Sequence, residues 1–296
     1  MLPAYQDYCQ GNTAVLPEGF TVIEKDAFSD NLDLVRVVIP STVTAIEDGA
    51  FRGCSNLKEV SIPESVLEIG NSAFCNCEKL SAIQLPKNLR YLGQFAFANS
   101  GLKRVTLEMQ DEDFQMERGA FRDCPSLTEV TIKCKYLGEH AFINCENLER
   151  ISFGEGLRGI GDYAFADCPK ISSIKLQGKW RHIGRSAFAN SGLKSVTLAS
   201  QDEEFYMGQG VFKDCSALAL VNIDSKYIGQ DAFMGCTHLQ KVFVWPTTPP
   251  RGSQGMFDDT KSFILVPEES VEAYQEAEYW REYAERIKAM PDPRLD

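Results

Sequence analysis

Apolar and polar positions along this chain alternate in short bursts that return at a nearly constant spacing. In Leu57-Lys-Glu-Val60-Ser-Ile62, Val60 and Ile62 alternate with Glu59 and Ser61, the period-two pattern of a half-buried strand. The same burst recurs as Leu34/Val37/Ile39, Leu80/Ile83/Leu85, Leu102/Val105/Leu107, Leu127/Val130/Ile132 and Leu148/Ile151/Phe153. It continues as Ile171/Ile174/Leu176, Leu193/Val196/Leu198, Leu218/Val221/Ile223 and Leu239/Val242/Val244. Pro40, Pro63 and Pro86 mark where several of these strands stop, because proline brings no N–H to a ladder. A second apolar pair, such as Val66 and Ile69, predicts a short extended return, and Gly70 a tight bend. The Ser72-Ala-Phe74 step that follows is too short for a full helix and predicts a single helical or 3-10 turn.

The repeat is anchored by phenylalanine. Phe28, Phe51, Phe74, Phe97, Phe121, Phe142, Phe165, Phe188, Phe212, Phe233 and Phe257 follow one another at intervals of 21–24 residues, by subtraction of neighbouring numbers. A period in this range is the signature of a leucine-rich-repeat solenoid. No single coil can bury its own apolar face, so coils stacked about 4.8 Å apart share one core. The predicted class is an α/β repeat with a parallel strand ladder on one face and short turns on the other. Residues 1–26 read as an N-terminal cap with a degenerate first coil, 27–245 as the solenoid, and 246–296 as a last coil and helical cap. Tyr5, Tyr8 and Cys9 are expected to pack at the N-terminal end.

A longer period lies inside the shorter one. Phe97 and Phe188 are 91 residues apart, and Ala96-Phe-Ala-Asn-Ser-Gly-Leu-Lys103 returns unchanged as Ala187–Lys194. The match runs on through QDEDFQM (110–116) against QDEEFYM (201–207), so a four-coil block has been duplicated. In the Ala-Asn-Ser-Gly-Leu coils, Gly101 and Gly192 make a tighter turn. Beyond Pro246-Thr-Thr-Pro-Pro250 and the last strand, Phe263–Val266, Val271, Tyr274, Ala277, Trp280, Tyr283 and Ile287 fall at helical spacing. They predict a helix opening at Pro267, with Ser270 or the preceding acids as cap, whose apolar side seals the core.

Seven of the ten cysteines stand three residues after an anchor Phe: Cys54, Cys77, Cys124, Cys145, Cys168, Cys215 and Cys236. One thiol per coil forms a spaced column, which suits buried free cysteine better than disulfides needing close pairs. Cys75-Asn-Cys77 has no second Cys/His pair at ligand spacing, so no metal is assigned. The chain has 296 residues, is 44% hydrophobic and carries a formal net charge of −12. That balance argues against nucleic acid and against anionic membrane surfaces. No run of 18 apolar residues is present, so no transmembrane helix is expected. The opening MLPAYQDYCQGNTAVLPEGF lacks the charged and apolar regions of a signal peptide. Two locations remain open: inside the cell, or outside it after removal of an export signal.

The I-P-x-x-V-x-x-I-G-x-x-A-F-x-x-C coil resembles the BspA-like, Treponema-type leucine-rich repeats of bacteria and some protists. The tail, with Thr248-Pro-Pro250, Leu265-Val-Pro267, Ser270-Val-Glu-Ala-Tyr274 and Trp280, resembles that of gut Bacteroidales members. The resemblance covers about residues 15–290. It implies a secreted or surface-attached, non-enzymatic binding protein of the adhesion type, with a host matrix or bacterial surface protein as partner. It brings no catalytic residues and no cofactor.

The outward positions of the strands form the candidate binding face, with Arg104, Arg150, Lys175, Lys241, Phe243 and Trp245 as partner-binding candidates. Phe243 and Trp245 have two readings, interface anchors or packing under the C-terminal cap. Passive spacer and glycan-binding module are the alternative functions. The acidic loops Asp111-Glu-Asp113 and Asp202-Glu-Glu204 offer clustered carboxylates, but without the ligand spacing and glycine of a calcium loop they read as solvated turns. His140, His182 and His238 share no repeat position and no nucleophile motif, so no catalytic site is assigned.

Overall fold

Three separate ladders of hydrogen bonds join neighbouring coils, and each traces to a different part of the repeat. They are seen in a computed structural model that describes residues 5–110, 113–200 and 202–291. Two compact units make up the chain, Met1–Leu157 and Arg158–Asp296, and both are parallel-strand solenoids.

The first ladder is built from the L-x-x-V-x-I bursts. In the first unit Thr13–Val15, Arg36–Val38 and Glu59–Ser61 pair in parallel, and Cys9–Gln10 closes one end antiparallel. Arg104–Leu107, Glu129–Ile132 and Arg150–Phe153 form a second parallel sheet. Contrary to the sequence reading, the burst Leu80/Ile83/Leu85 between them forms no strand, and Ile83 is only half-buried. Apart from Phe263–Val266, which runs four residues up to Pro267, strand length follows the prolines. The bursts closed by Pro40 and Pro63 make three-residue strands and the one closed by Pro86 makes none. Those without a proline reach four residues in the first unit and six, at Ser173–Gly178 and Ser195–Ser200, in the second. A missing N–H at the strand end, together with the restriction on the residue before proline, accounts for the difference. In the second unit the sheet runs in the order Ser173–Gly178, Ser195–Ser200, Leu220–Asp224, Lys241–Val244, Phe263–Val266 and Ile287–Ala289.

The second ladder consists of two-residue strands on the return. Val22–Ile23, Ala45–Ile46, Glu68–Ile69, Tyr91–Leu92 and Gln115–Met116 pair in parallel in the first unit. In the second, Gly159–Ile160, His182–Ile183 and Tyr206–Met207 do the same. The first residue of each pair is at least partly exposed except Gly159, and the second is buried in nearly every coil.

The third ladder runs through the phenylalanine turn, which is not helical. Ala73, Cys75 and Cys77 donate back to Gly70, Ser72 and Phe74, closing successive three-residue turns. The alternate residues Ser72, Phe74 and Asn76 donate forward to Gln94, Ala96 and Ala98 of the next coil. Every backbone N–H from Ser72 to Cys77 is thereby satisfied. The conformation requires the residues two before and two after each anchor Phe to lie at φ between +50° and +74°. The phenyl rings stack on one another at centroid distances of 5.0–5.3 Å from Phe28 to Phe142. From Phe165 to Phe257 they stack at 5.3–5.7 Å. The glycines of the Ala-Asn-Ser-Gly coils are sterically required, because a Cβ on Gly101 or Gly192 would overlap the carbonyl of Glu78 or Pro169.

The cysteine column is a column of free, buried thiols. Six of the seven thiols donate to the carbonyl of the anchor Phe one coil back, among them Cys54 to Phe28 at 3.0 Å, Cys77 to Phe51 at 3.2 Å and Cys236 to Phe212 at 3.2 Å, and Cys168 lies 3.6 Å from the Ala166 carbonyl. Desolvation pushes the Cys54 thiol up to about 11 and that of Cys134, outside the column, up to about 12.

Aromatic rings cover the first ring of the first unit's stack and the last ring of the second unit's stack. Tyr5 lies 5.3 Å from Phe28 and Tyr8 lies 5.3 Å from Phe20. At the other end Trp280 and Tyr283 pack on Phe257 at 6.1 and 5.6 Å. The C-terminal helix is present but shorter than the spacing predicts. It spans Val271–Glu276, entered through a 3-10 turn at Glu268–Ser270, and the buried Ser270 makes no side-chain cap bond. Ala277 is extended and Tyr279 has φ +65°. This break lets Trp280 turn into the core, where its Nε1 donates to the Pro250 carbonyl at 2.8 Å. A 3-10 turn at Arg281–Arg286 then leads into Ile287–Ala289, which adds a strand to the sheet instead of ending a helix.

Candidate functional site

The outward face of each sheet places the predicted residues by register. In the first unit Glu129 stands between Arg104 and Arg150 on neighbouring strands, and both guanidiniums lie 3.3 Å from its carboxylate. One carboxylate between two exposed cations is a weak, solvated clasp, and Glu149 brings a second carboxylate to Arg150 at 3.9 Å. Arg36 and Glu59 form a similar pair at 3.6 Å.

In the second unit Lys175 and Lys241 lie three strands apart, and both are exposed. The six predicted residues therefore form no single site: Arg104 and Arg150 belong to the first unit, the other four to the second. Phe243 and Trp245 do come together, with ring centroids 6.2 Å apart and planes within 19°. Trp245 is 53% exposed and Phe243 half-buried. Tyr274 of the C-terminal cap donates to the carbonyl of Pro246, the residue after Trp245, at 2.6 Å.

Phe263 lies on the neighbouring strand of the same sheet and was not among the predicted residues. It pairs with Lys241 in register and is 55% exposed. Its place opposite Lys241 was legible from the burst spacing. Lys288 was not legible, because its strand was expected to be helix; it stands opposite Leu265 at the far edge. The outward face at the end of this sheet thus carries one stacked aromatic pair, a separate exposed ring at Phe263 and two ammonium groups.

Of the acidic loops, Asp111 and Glu112 lie outside the described residues. In the second loop Asp202 and Glu204 face Arg181 at 3.6 and 3.8 Å, and Glu203 pairs with Lys226 at 2.9 Å. Among the described residues, no group of three or more His, Cys, Asp or Glu side chains is placed to hold a metal ion. No helix among them is long and apolar enough to cross a membrane.

A second surface lies on the return side of the second unit. His182, Tyr206 and Tyr227 stack in register, with centroids 5.7 and 5.9 Å apart. Each stands six residues before an anchor Phe, and three residues before the last anchors stand Gln209, Gln230 and Gln254. The two columns flank a cleft of about 740 Å³ whose end wall is residues 277–280.

The ladders, the coil spacing and the outward-facing sheets define a leucine-rich-repeat solenoid. The model of the BspA-type leucine-rich repeat region matches in six copies over residues 4–128 and 114–240, and the chain belongs to that family. Among solved structures, a leucine-rich repeat protein from Bacteroides ovatus is similar, with 22% identity over 94% of this chain and 92% of that one and a TM-score of 0.54. The Treponema pallidum leucine-rich repeat protein is 31% identical over 54% of this chain and 78% of its own, with a TM-score of 0.49. A leucine-rich cell surface protein from Faecalibacterium prausnitzii is 18% identical over 96% of this chain and 89% of its own, with a TM-score of 0.44. No curated protein matches the chain.

Proposed function

We propose that this protein is a non-enzymatic binding module of the adhesion type, secreted or held at the cell surface, that docks a host or bacterial surface protein on its sheet face. Family membership supports the class. The observation that carries the site is the stacked Phe243–Trp245 pair, with the exposed Phe263 opposite Lys241 and Lys288 at the far edge of the same sheet. Large amphipathic rings that can be desolvated at the centre of an interface contribute most to protein recognition. The flanking ammonium groups favour a partner with apolar side chains among acidic ones. Lys175 extends the face along the sheet. Arg104 and Arg150 give the first unit a rim of mixed charge that tunes association rate more than affinity.

The test is capture of matrix and bacterial surface proteins on an immobilised chain, with a Phe243→Ala/Trp245→Ala double variant alongside. Both rings are outside the core, so the variant should fold. Loss of binding by about a hundredfold or more is expected, two anchors at ~1.4 kcal/mol or above each. Undiminished capture by the double variant would move the site elsewhere, and absence of any protein ligand would favour a passive spacer.

A further inference from the structure

We infer that the cleft between the tyrosine column and the C-terminal cap is a second binding site, separate from the sheet face, for a neutral oligosaccharide. Its size, about 740 Å³, is within the range of small-ligand sites, and its lining alternates two chemistries. Tyr227 is covered on one face by Tyr206 and on the other side is paired in register with Arg251, where among the described residues no aromatic ring continues the stack. Beside it the exposed amides of Gln230 and Gln254 each bring two donors and an acceptor. A pyranose ring presents C–H groups on its faces and hydroxyls around its rim. The faces suit an aromatic plane, and the hydroxyls need partners that both give and accept.

Other ligand classes fit less well. The cleft holds one cation, Arg251, and one anion, Glu278, so it gives no field for a phosphate or a polyanion. An apolar ligand would leave the amides unpaired. A peptide adding as a strand would need an open ladder edge, but the adjoining one is occupied: Arg251 donates to the Lys226 carbonyl and Ile228 to that of Arg251.

The walls are held in place before any ligand arrives. Tyr227 Oη and Ser253 Oγ lie 3.1 Å apart, and Gln209 donates to Asp231 at 2.8 Å. Trp280 is pinned to Pro250 behind the cleft. Tyr279, in the end wall, is the one non-glycine residue with positive φ among the described residues that does not flank an anchor Phe. A bulky side chain in that conformation is strained, a feature that clusters at ligand clamps. Pre-set walls reduce the ordering cost of binding.

The experiment is calorimetry and ligand-observed NMR on the full chain with maltohexaose, cellohexaose, laminarihexaose and mannohexaose at millimolar concentration. At least one should bind saturably. Tyr227→Ala and Gln230→Ala should each weaken it about tenfold or more, with the thermal midpoint of Gln230→Ala unchanged. Tyr227→Phe should keep most of the affinity, since the ring plane remains. The Phe243→Ala/Trp245→Ala variant should bind the sugar as the parent does, which separates this site from the sheet face. Failure of all four sugars to bind would overturn the inference. So would affinity indifferent to Tyr227 and Gln230, or a protein ligand whose capture depends on Tyr227.

Discussion

Asp259 shows how much of the fold rests on single backbone conformations. It sits two residues after Phe257 at φ +58° and is exposed. The equivalent residue of every coil is Asp, Asn or Gly, from Asp30 and Gly53 to Gly235. Only these types enter the left-handed region at low cost. Two residues before the anchor the rule relaxes, and Phe95, His140 and Tyr163 hold positive φ there; the ring of Phe95 has the Arg122 guanidinium 5.7 Å above it. Replacing Asp259 with Ala should therefore cost about 1 kcal/mol more than replacing it with Gly, read as the difference in denaturant midpoint. Equal midpoints would mean that the turn does not hold this backbone. The anchors themselves should be far more sensitive. Phe97 is fully buried with a ring stacked on either face, and Phe97→Ala should remove about 3–5 kcal/mol.

At the scale of the element, proline placement and the C-terminal strand decide what the bursts become. The sequence pattern of Leu80/Ile83/Leu85 is as good as its neighbours', yet no ladder forms there, because strand pairing depends on donors in adjacent coils as well as on alternation. The last coil makes the same point in reverse. The helical spacing from Val271 to Ile287 is real, but burial of Trp280 against Phe257 and Pro250 outweighs helix continuation, and Ile287–Ala289 pairs with Phe263–Val266. Removing residues 287–296 should leave Phe263–Val266 as an open, apolar edge, which templates association. Sedimentation of the shortened chain should show more self-association than that of the full chain at equal concentration. Identical profiles would count against the added strand.

For the whole molecule, ten cysteines without a disulfide make stability depend on alkaline pH. Burial raises the Cys54 thiol to about 11 and the Cys134 thiol to about 12 from an ordinary 9.0. Below pH 9 both thiols are protonated whether the chain is folded or not, so stability is whole. As pH climbs past 9 the unfolded chain releases protons that the folded chain keeps, and stability falls until the folded thiols ionise near 11 and 12. At pH 10 each of the two should have lost on the order of 1.4 kcal/mol, seen as a lower denaturant midpoint than at pH 8. A Cys54→Ala variant should show a smaller decline over the same interval, and an equal decline would dissociate the effect from this thiol.

The repeat, its period, the buried phenylalanine and cysteine columns and the parallel ladder were all legible in the amino-acid order, because each is a local pattern multiplied by stacking. The alternation of Asp, Asn and Gly two residues after each anchor was equally legible as a signal for left-handed backbone, although the turn it builds was read as helical. What required the tertiary structure were the juxtapositions between coils. Phe263 opposite Lys241, the ring stack of His182, Tyr206 and Tyr227, and the clasp of Glu129 by two arginines join residues about twenty or more positions apart. Registers between coils set them, and inter-coil hydrogen bonding and the packing of Trp280 decide those registers, neither of which a single coil contains.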